Sequence, residues 1–209
     1  MIGHIIETDA SVVEGAEWLS ARHPQFANAF ALCQPLPLRR TTDGFDRLLH
    51  AIVGQQVSIA SANAIWGRLE SAGMTAEAAI DQADEDALRA LGLSRQKARY
   101  AKALAAARID YGALRQTPTD AVIKTLVAVP GIGPWTAEIY AMFALGRADV
   151  FAPDDLALQE AARGLFDLPE RPTEKQLRTM AEAWAPWRSV AARLLWAYYR
   201  IMKSREGIR

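Results

Sequence analysis

Apolar residues recur along this chain at three- and four-residue intervals with no sustained alternation, the pattern of amphipathic helices rather than strands. Ala, Leu, Glu, Arg and Gln, which favour helices, are abundant. The spacing predicts helices near 11–22, 25–33, 44–53, 58–71, 75–81, 84–91, 95–108, 119–128, 134–145, 155–164, 173–184 and 187–203. Thr75, with Glu77 in the first turn, and Thr173, ahead of Glu174, read as start signals. Gly73, Gly92 and Gly112 fall where helices should stop. The stretch Gln34-Pro35-Leu36-Pro37-Leu38-Arg39-Arg40 cannot be helical and reads as a linker. A second extended break is Asp149-Val150-Phe151-Ala152-Pro153. No fixed-period repeat or low-complexity tract interrupts this pattern.

The expected fold is all-α, in two helical lobes with a cleft between them. Residues 43–148 are long enough for a compact central helical domain. The flanking pieces, 1–42 and 149–209, are too short to be stable separately and are expected to pack as one discontinuous domain.

Composition narrows the function. Over 209 residues, 51% hydrophobic and 23% charged residues exclude a disordered chain. No run approaches 18 consecutive apolar residues, and the N-terminus lacks a signal pattern, so the expectation is a cytoplasmic protein without a membrane partner. Cys33 is the single cysteine, and His4, His23 and His50 are scattered, which argues against a disulfide framework, a Cys/His metal centre or a cysteine-ligated cluster. Twenty-four basic residues balance 24 acidic ones, arguing against bulk-charge coating of nucleic acid. Charge is nevertheless segregated. Arg95, Lys97, Arg99, Lys102 and Arg108 share one stretch without an acid, the tail from Trp187 to Arg209 is basic, and Asp81, Asp84, Glu85 and Asp86 cluster.

The segment that carries chemistry is Leu126-Val127-Ala128-Val129-Pro130-Gly131-Ile132-Gly133-Pro134-Trp135-Thr136-Ala137. An apolar helix end runs into Pro-Gly-Ile-Gly, and Pro134 suits the first turn of the next helix. Two glycines around Ile132 allow a tight turn with the isoleucine tucked between helices. Amides at that helix start point outward, and the dipole helps them bind phosphate without a lysine. This is the content of a helix-hairpin-helix over about 119–145, a sequence-independent clamp on a DNA backbone; an ordinary helical hairpin has the same turn.

Twenty residues beyond Trp135 lies Asp155, in Val150-Phe151-Ala152-Pro153-Asp154-Asp155. With this, the chain resembles the helix-hairpin-helix DNA glycosylases, nearest to the alkyladenine branch of 3-methyladenine DNA glycosylase II type. The resemblance extends through Leu49-His50-Ala51-Ile52-Val53-Gly54-Gln55-Gln56-Val57-Ser58 and Trp184-Ala185-Pro186-Trp187-Arg188-Ser189 to Trp196. Ala152 departs from the family, replacing a loop glycine, and so does Leu156, standing where a familiar bacterial member has tyrosine. That member's β-rich N-terminal domain has no counterpart, so the short, all-helical form is expected.

The resemblance implies roles. Asp155, the second of the pair, would be catalytic, stabilising positive charge that builds on the deoxyribose and orienting water, while Asp154 would cap the following helix or hold the loop. Trp135 stands where lyase-type members place a nucleophilic lysine, which implies a monofunctional enzyme. Trp135 and Trp196 match positions lining a pocket for a flipped, positively charged alkylated purine. Gln56 falls at the position that fills the gap left by that base, and Ser58 has a capping role open to it. Tyr140 and Phe143 stay undecided, whereas Trp18, Trp66, Trp184 and Trp187 read as core, and Cys33 and His50 as packing residues. DNA contacts are expected from Pro130, Gly131, Ile132 and Gly133. For Arg95 and Lys97, which follow Ser94 at a helix start, phosphate contact and a solvated charged face stand level.

The activity expected is hydrolysis of the N-glycosyl bond of alkylated purines (3-methyladenine, 7-methylguanine type) in duplex DNA, by a monomer without a cofactor. A monovalent cation at the hairpin carbonyls is left open. Two alternatives stand beside this one: a non-catalytic hairpin module, and a glycosylase for mismatched or oxidised bases.

Overall fold

The computed structural model describes residues 2–207. Its helices are α1 (Asp9–Arg22), α2 (Pro24–Cys33), α3 (Phe45–Gly54), α4 (Ile59–Ser71), α5 (Glu77–Gln82), α6 (Glu85–Ala90), α7 (Arg95–Ala106), α8 (Tyr111–Leu114), α9 (Thr119–Val127), α10 (Pro134–Phe143), α11 (Leu156–Leu165), α12 (Glu174–Glu182) and α13 (Arg188–Glu206). No strand forms among the described residues; Ile5 and Arg147 make an isolated antiparallel bridge. Nor is any described helix long and apolar enough to cross a membrane.

Two expectations fail locally. Gly112 does not stop a helix but lies inside α8, a single turn whose N-cap, Asp110, accepts from Ala113 N at 2.9 Å. Thr75 does not cap α5, which starts one residue later behind Ala76 and has no side-chain cap. Gly73 and Gly92 do end helices, at φ +69° and +107°, where a side chain is strained. Thr173 forms a full capping box with Gln176.

The chain divides into two compact units. One holds the residues through Thr41 and those from Ala141 onward; the other spans Thr42–Tyr140. The second boundary falls inside α10, earlier than the expected 148/149. The reason is the backbone pairing of 141–148: Gly146 O accepts from Ile6 N, His4 O from Ala148 N, and Phe143 O from Thr41 N.

In the unit built from both chain ends, α13 is the central element. In its first half Val190, Ala191, Ala192, Leu194, Leu195 and Ala197, with polar Ser189 and Arg193, are buried on all sides, and α1, α2 and α11 pack on it. Gly15 permits the approach of α1, because a Cβ there would sit 2.6 Å from Val190. Trp184 is the aromatic centre, with ring centroids of Phe26, Phe151 and Phe166 at 5.2, 5.3 and 5.7 Å. In the 42–140 unit, α3 buries Phe45, Leu48, Leu49, Ile52 and Val53, a one-sided stripe, against α4 and α7. The facing stripe of α7 is Ala98, Ala101, Leu104 and Ala105, small enough for close packing.

Trp184 and Trp187 are core, but Trp18 and Trp66 are half-buried, a correction to the expectation. Each uses a polar neighbour: the Arg22 guanidinium lies 4.0 Å from the Trp18 ring, and Trp66 Nε1 donates to Glu70 Oε1 at 2.8 Å. His50 packs edge-on against Trp66, and burial pulls its pKa down; burial likewise pushes the Cys33 thiol up.

Candidate active site and nucleic-acid interface

In the 42–140 unit, α9 leads into the hairpin turn. Ala128 N returns to Lys124 O, Val129 N to Leu126 O and Ile132 N to Val129 O, which draws the chain around tightly. Val129 and Ile132 are buried beneath the turn, while Pro130 and Gly133 are exposed. Gly131 has φ +95°, and a Cβ there would meet the Tyr100 ring at 2.4 Å, so only glycine fits. Gly133 faces open space. Pro134 opens α10, whose first-turn amides, by helix geometry, are not used within the helix. Trp135 stands on that turn, 42% exposed.

An open groove of about 530 Å³ runs beside the turn, lined among others by Gln56, Val57, Ser94, Lys97, Tyr100 and Gly133. Gln56 is exposed and adopts φ +54° just past the end of α3. Its neighbour Gln55 turns inward and donates from Nε2 to Gly131 O at 2.8 Å. The sequence singled out Gln56 and passed over Gln55; adjacent glutamines in a loop carry no periodicity that separates inward from outward.

The basic stretch 94–108 is mostly committed within its own unit. Lys97 Nζ donates to Val53 O at 2.7 Å, and Lys102 Nζ to the carbonyls of Asp81 and Ala83 at the end of α5. Arg99 pairs with Glu85, and Arg108 with Glu77 and Asp81. Among these five, Arg95 alone has no such partner and is exposed. Lys97 thus places one Nζ donor on the end of α3 while lining the groove. In the basic tail Arg188 forks onto Asp149 and Arg193 is buried, whereas Arg200 and Lys203 are exposed; the side chains of 205 and 206 and residues 208–209 lie outside what the structure describes.

In the unit of the two chain ends, residues 147–155 form a braced loop. The single Ser189 hydroxyl proton is shared between Arg147 O and Val150 O, 2.5 and 3.0 Å from Oγ, and buried Gln159 donates to Pro153 O at 2.8 Å. Ala152, the family departure, is fully buried. The loop delivers Asp155, half-buried, to the start of α11. Its Oδ1 accepts from Ala157 N at 2.9 Å, Leu158 N at 3.1 Å and Trp196 Nε1 at 3.2 Å. Asp155 itself is thus the N-cap. Asp154, expected to cap, is exposed instead.

Trp196 is half-buried, with the Phe143 ring 5.7 Å away at a 33° tilt. Guanidinium groups face both rings: Arg39 at 5.9 Å from Trp196 and Arg193 at 4.8 Å from Phe143. Arg193 donates to Leu38 O and Ser189 O; burial first, then Arg39 and Arg40, pull its pKa down to about 9, which leaves it charged at neutral pH. Tyr140 is structural: its hydroxyl accepts from Gly44 N at 3.0 Å, and burial pushes its pKa up to about 12. Chemistry thus gathers in two constellations, one per unit: the hairpin with Gln56, and Asp155 with Trp196 and Phe143. A larger hollow of about 740 Å³ along 168–180 touches none of these residues.

Residues 49–187 match the model of the HhH-GPD superfamily base excision DNA repair proteins. The chain belongs to the HhH-GPD superfamily. It is 31% identical over 176 residues to DNA-3-methyladenine glycosylase 1 of Schizosaccharomyces pombe, covering 79% of this chain and 76% of the relative. Identity to DNA-3-methyladenine glycosylase 2 of Escherichia coli is 34% over 176 residues, 77% of this chain but 60% of that longer relative. Among solved structures, a DNA-3-methyladenine glycosidase from Bacillus halodurans superposes with a TM-score of 0.81 at 30% identity, covering 96% and 94% of the two chains. The Schizosaccharomyces pombe 3-methyladenine DNA glycosylase Mag1, solved in complex with abasic DNA, gives 0.75 at 29%, covering 88% and 95%.

Proposed function

We propose that this HhH-GPD protein is a monofunctional DNA N-glycosylase that removes alkylated purines from duplex DNA. The observation that carries the reading is the Asp155 carboxylate, anchored through Oδ1 by two α11 amides and the Trp196 indole N–H. A purine alkylated at N3 or N7 already bears a positive charge, so it departs as a neutral base when its bond to C1′ breaks, with no general acid. The sugar left behind is an oxocarbenium-like cation. A fixed carboxylate stabilises that charge and takes the proton of the water that adds to C1′.

The DNA grip comes from the other unit. Within the Pro130–Gly133 turn the amides of Gly131 and Gly133, with those at the start of α10, hold phosphates, and Arg95 is the side-chain contact. Gln56 enters the gap of the extruded nucleotide, where its amide bonds the orphan partner base. Trp196, beside Asp155 in the same unit, is an aromatic surface on which an electron-poor base stacks, and Trp135 is an exposed indole on the first turn of α10. The protein acts as a monomer and calls for no organic cofactor.

Incubating the protein with methylated duplex DNA and separating released bases by chromatography tests the reading. Release of 3-methyladenine or 7-methylguanine is expected, leaving an abasic site that breaks only after alkali. With Trp135 where a lysine nucleophile would stand, borohydride should trap no protein–DNA adduct. Duplex binding without base release would leave the clamp-module alternative; strand scission with trapping would refute the monofunctional assignment.

A further inference from the structure

We propose that Gln55 and Lys97 are positioning residues that pin the root of the loop carrying Gln56, so that the loop meets the duplex as a stiff wedge already set against the hairpin. The proposal rests on Gln56 filling the gap. It is carried by two part-buried hydrogen bonds that converge on the end of α3. Lys97 Nζ, on α7, donates to Val53 O at 2.7 Å, and Gln55 Nε2 donates across 76 residues to Gly131 O at 2.8 Å. At the far end of the loop Ser58 caps α4, accepting from Ser61 N at 3.2 Å. Gln56, between these anchors, holds φ +54°, a left-handed conformation that a glutamine keeps only where its surroundings impose it.

What projects from the pinned root fits the task. Gln56 through Ala60 are exposed, with Val57 at 39% and Ile59 at 81%. Apolar side chains held in water beside a polar tip form a wedge that can lie against base-pair edges. Gly131 supplies the carbonyl that Gln55 uses, whereas phosphate is met by amides, so the pin and the clamp use opposite groups of one turn. Lys97 caps carbonyl charge at a helix C-terminus, where a cation is favoured, and burial lowers its pKa.

The full chain is tested on a duplex carrying a tetrahydrofuran abasic analogue beside 2-aminopurine, and on methylated duplex at saturating protein. Variants are Gln55→Met and Lys97→Met, the donor-restoring Gln55→Lys and Lys97→Arg, and Gln56→Ala, each with a thermal midpoint. The two methionine variants are expected to keep undamaged-duplex affinity and its salt slope, while 2-aminopurine unstacking and the saturated single-turnover rate fall about ten-fold, the scale of one lost hydrogen bond. Gln55→Lys and Lys97→Arg should restore both signals, which also guards against a folding defect.

A Lys97→Met variant that weakens all duplexes alike and makes the salt slope shallower by about one would make Lys97 a phosphate contact and overturn the pinning. If Gln56→Ala loses the unstacking signal and the methionine variants keep it, the pinning alone fails. If Gln56→Ala keeps it, the gap-filling reading fails and takes the pinning with it.

Discussion

At Asp155 one carboxylate oxygen receives two amide protons from α11 and the indole proton of Trp196, so its structural and chemical duties can be separated by substitution. Asparagine keeps an acceptor oxygen and caps helices about as well as aspartate, but carries no charge. Asp155→Asn is therefore expected to hold its thermal midpoint while single-turnover base release falls about 100-fold or more, as for other lost electrostatic contacts to a transition state. Asp155→Ala should lose the cap as well, about 1 kcal/mol. Asp154→Asn should change neither, because Asp154 is exposed and caps nothing. Near-wild-type release by Asp155→Asn would remove the catalytic assignment.

The hairpin turn makes the corresponding distinction between two glycines. Gly131 is held at φ +95° with the Tyr100 ring where a Cβ would go; Gly133 has open space around it. Gly131→Ala must strain the backbone and displace the ring, an expected loss of about 2 kcal/mol visible in chemical denaturation. Gly133→Ala should leave stability unchanged and weaken binding to every duplex alike, since a methyl there meets the phosphate and no base. If both variants melt like the parent and bind DNA like the parent, the turn is not a clamp.

For the molecule as a whole, zero net charge and the internal pairing of the basic stretch set the strength of non-specific attraction. Arg99 and Arg108 spend their charge on Glu85, Glu77 and Asp81, and Lys97 and Lys102 donate to carbonyls. Few phosphates remain to be neutralised, so the slope of log K against log salt for undamaged duplex should be shallow, about −2 to −4. Fluorescence anisotropy across a salt series measures it. A slope steeper than about −6 would mean that phosphate-binding side chains beyond the hairpin and Arg95 have been overlooked.

The sequence by itself determined what depends on near neighbours along the chain. Apolar spacing placed the long helices within a few residues, Pro-Gly-Ile-Gly gave the hairpin, and Ser58, Ser94 and Thr173 gave their caps, because periodicity and capping act over a single turn. The single-turn helix α8 escaped, being too short to show a period. The role proposed for Asp155 comes through the family resemblance rather than from local spacing, and the cap of α11 expected of Asp154 belongs to Asp155. Only the tertiary structure decided the partners. Trp196 reaches Asp155 across 41 residues, Gln55 reaches Gly131 across 76, and the acidic cluster meets the basic stretch that looked free for DNA. The end of α10 joined the unit of the two chain ends because carbonyls at 143–146 met donors at 6, 40 and 41, far away in the chain. A side chain's reach for a distant donor or acceptor leaves no period in the sequence; it exists once packing has brought the two together.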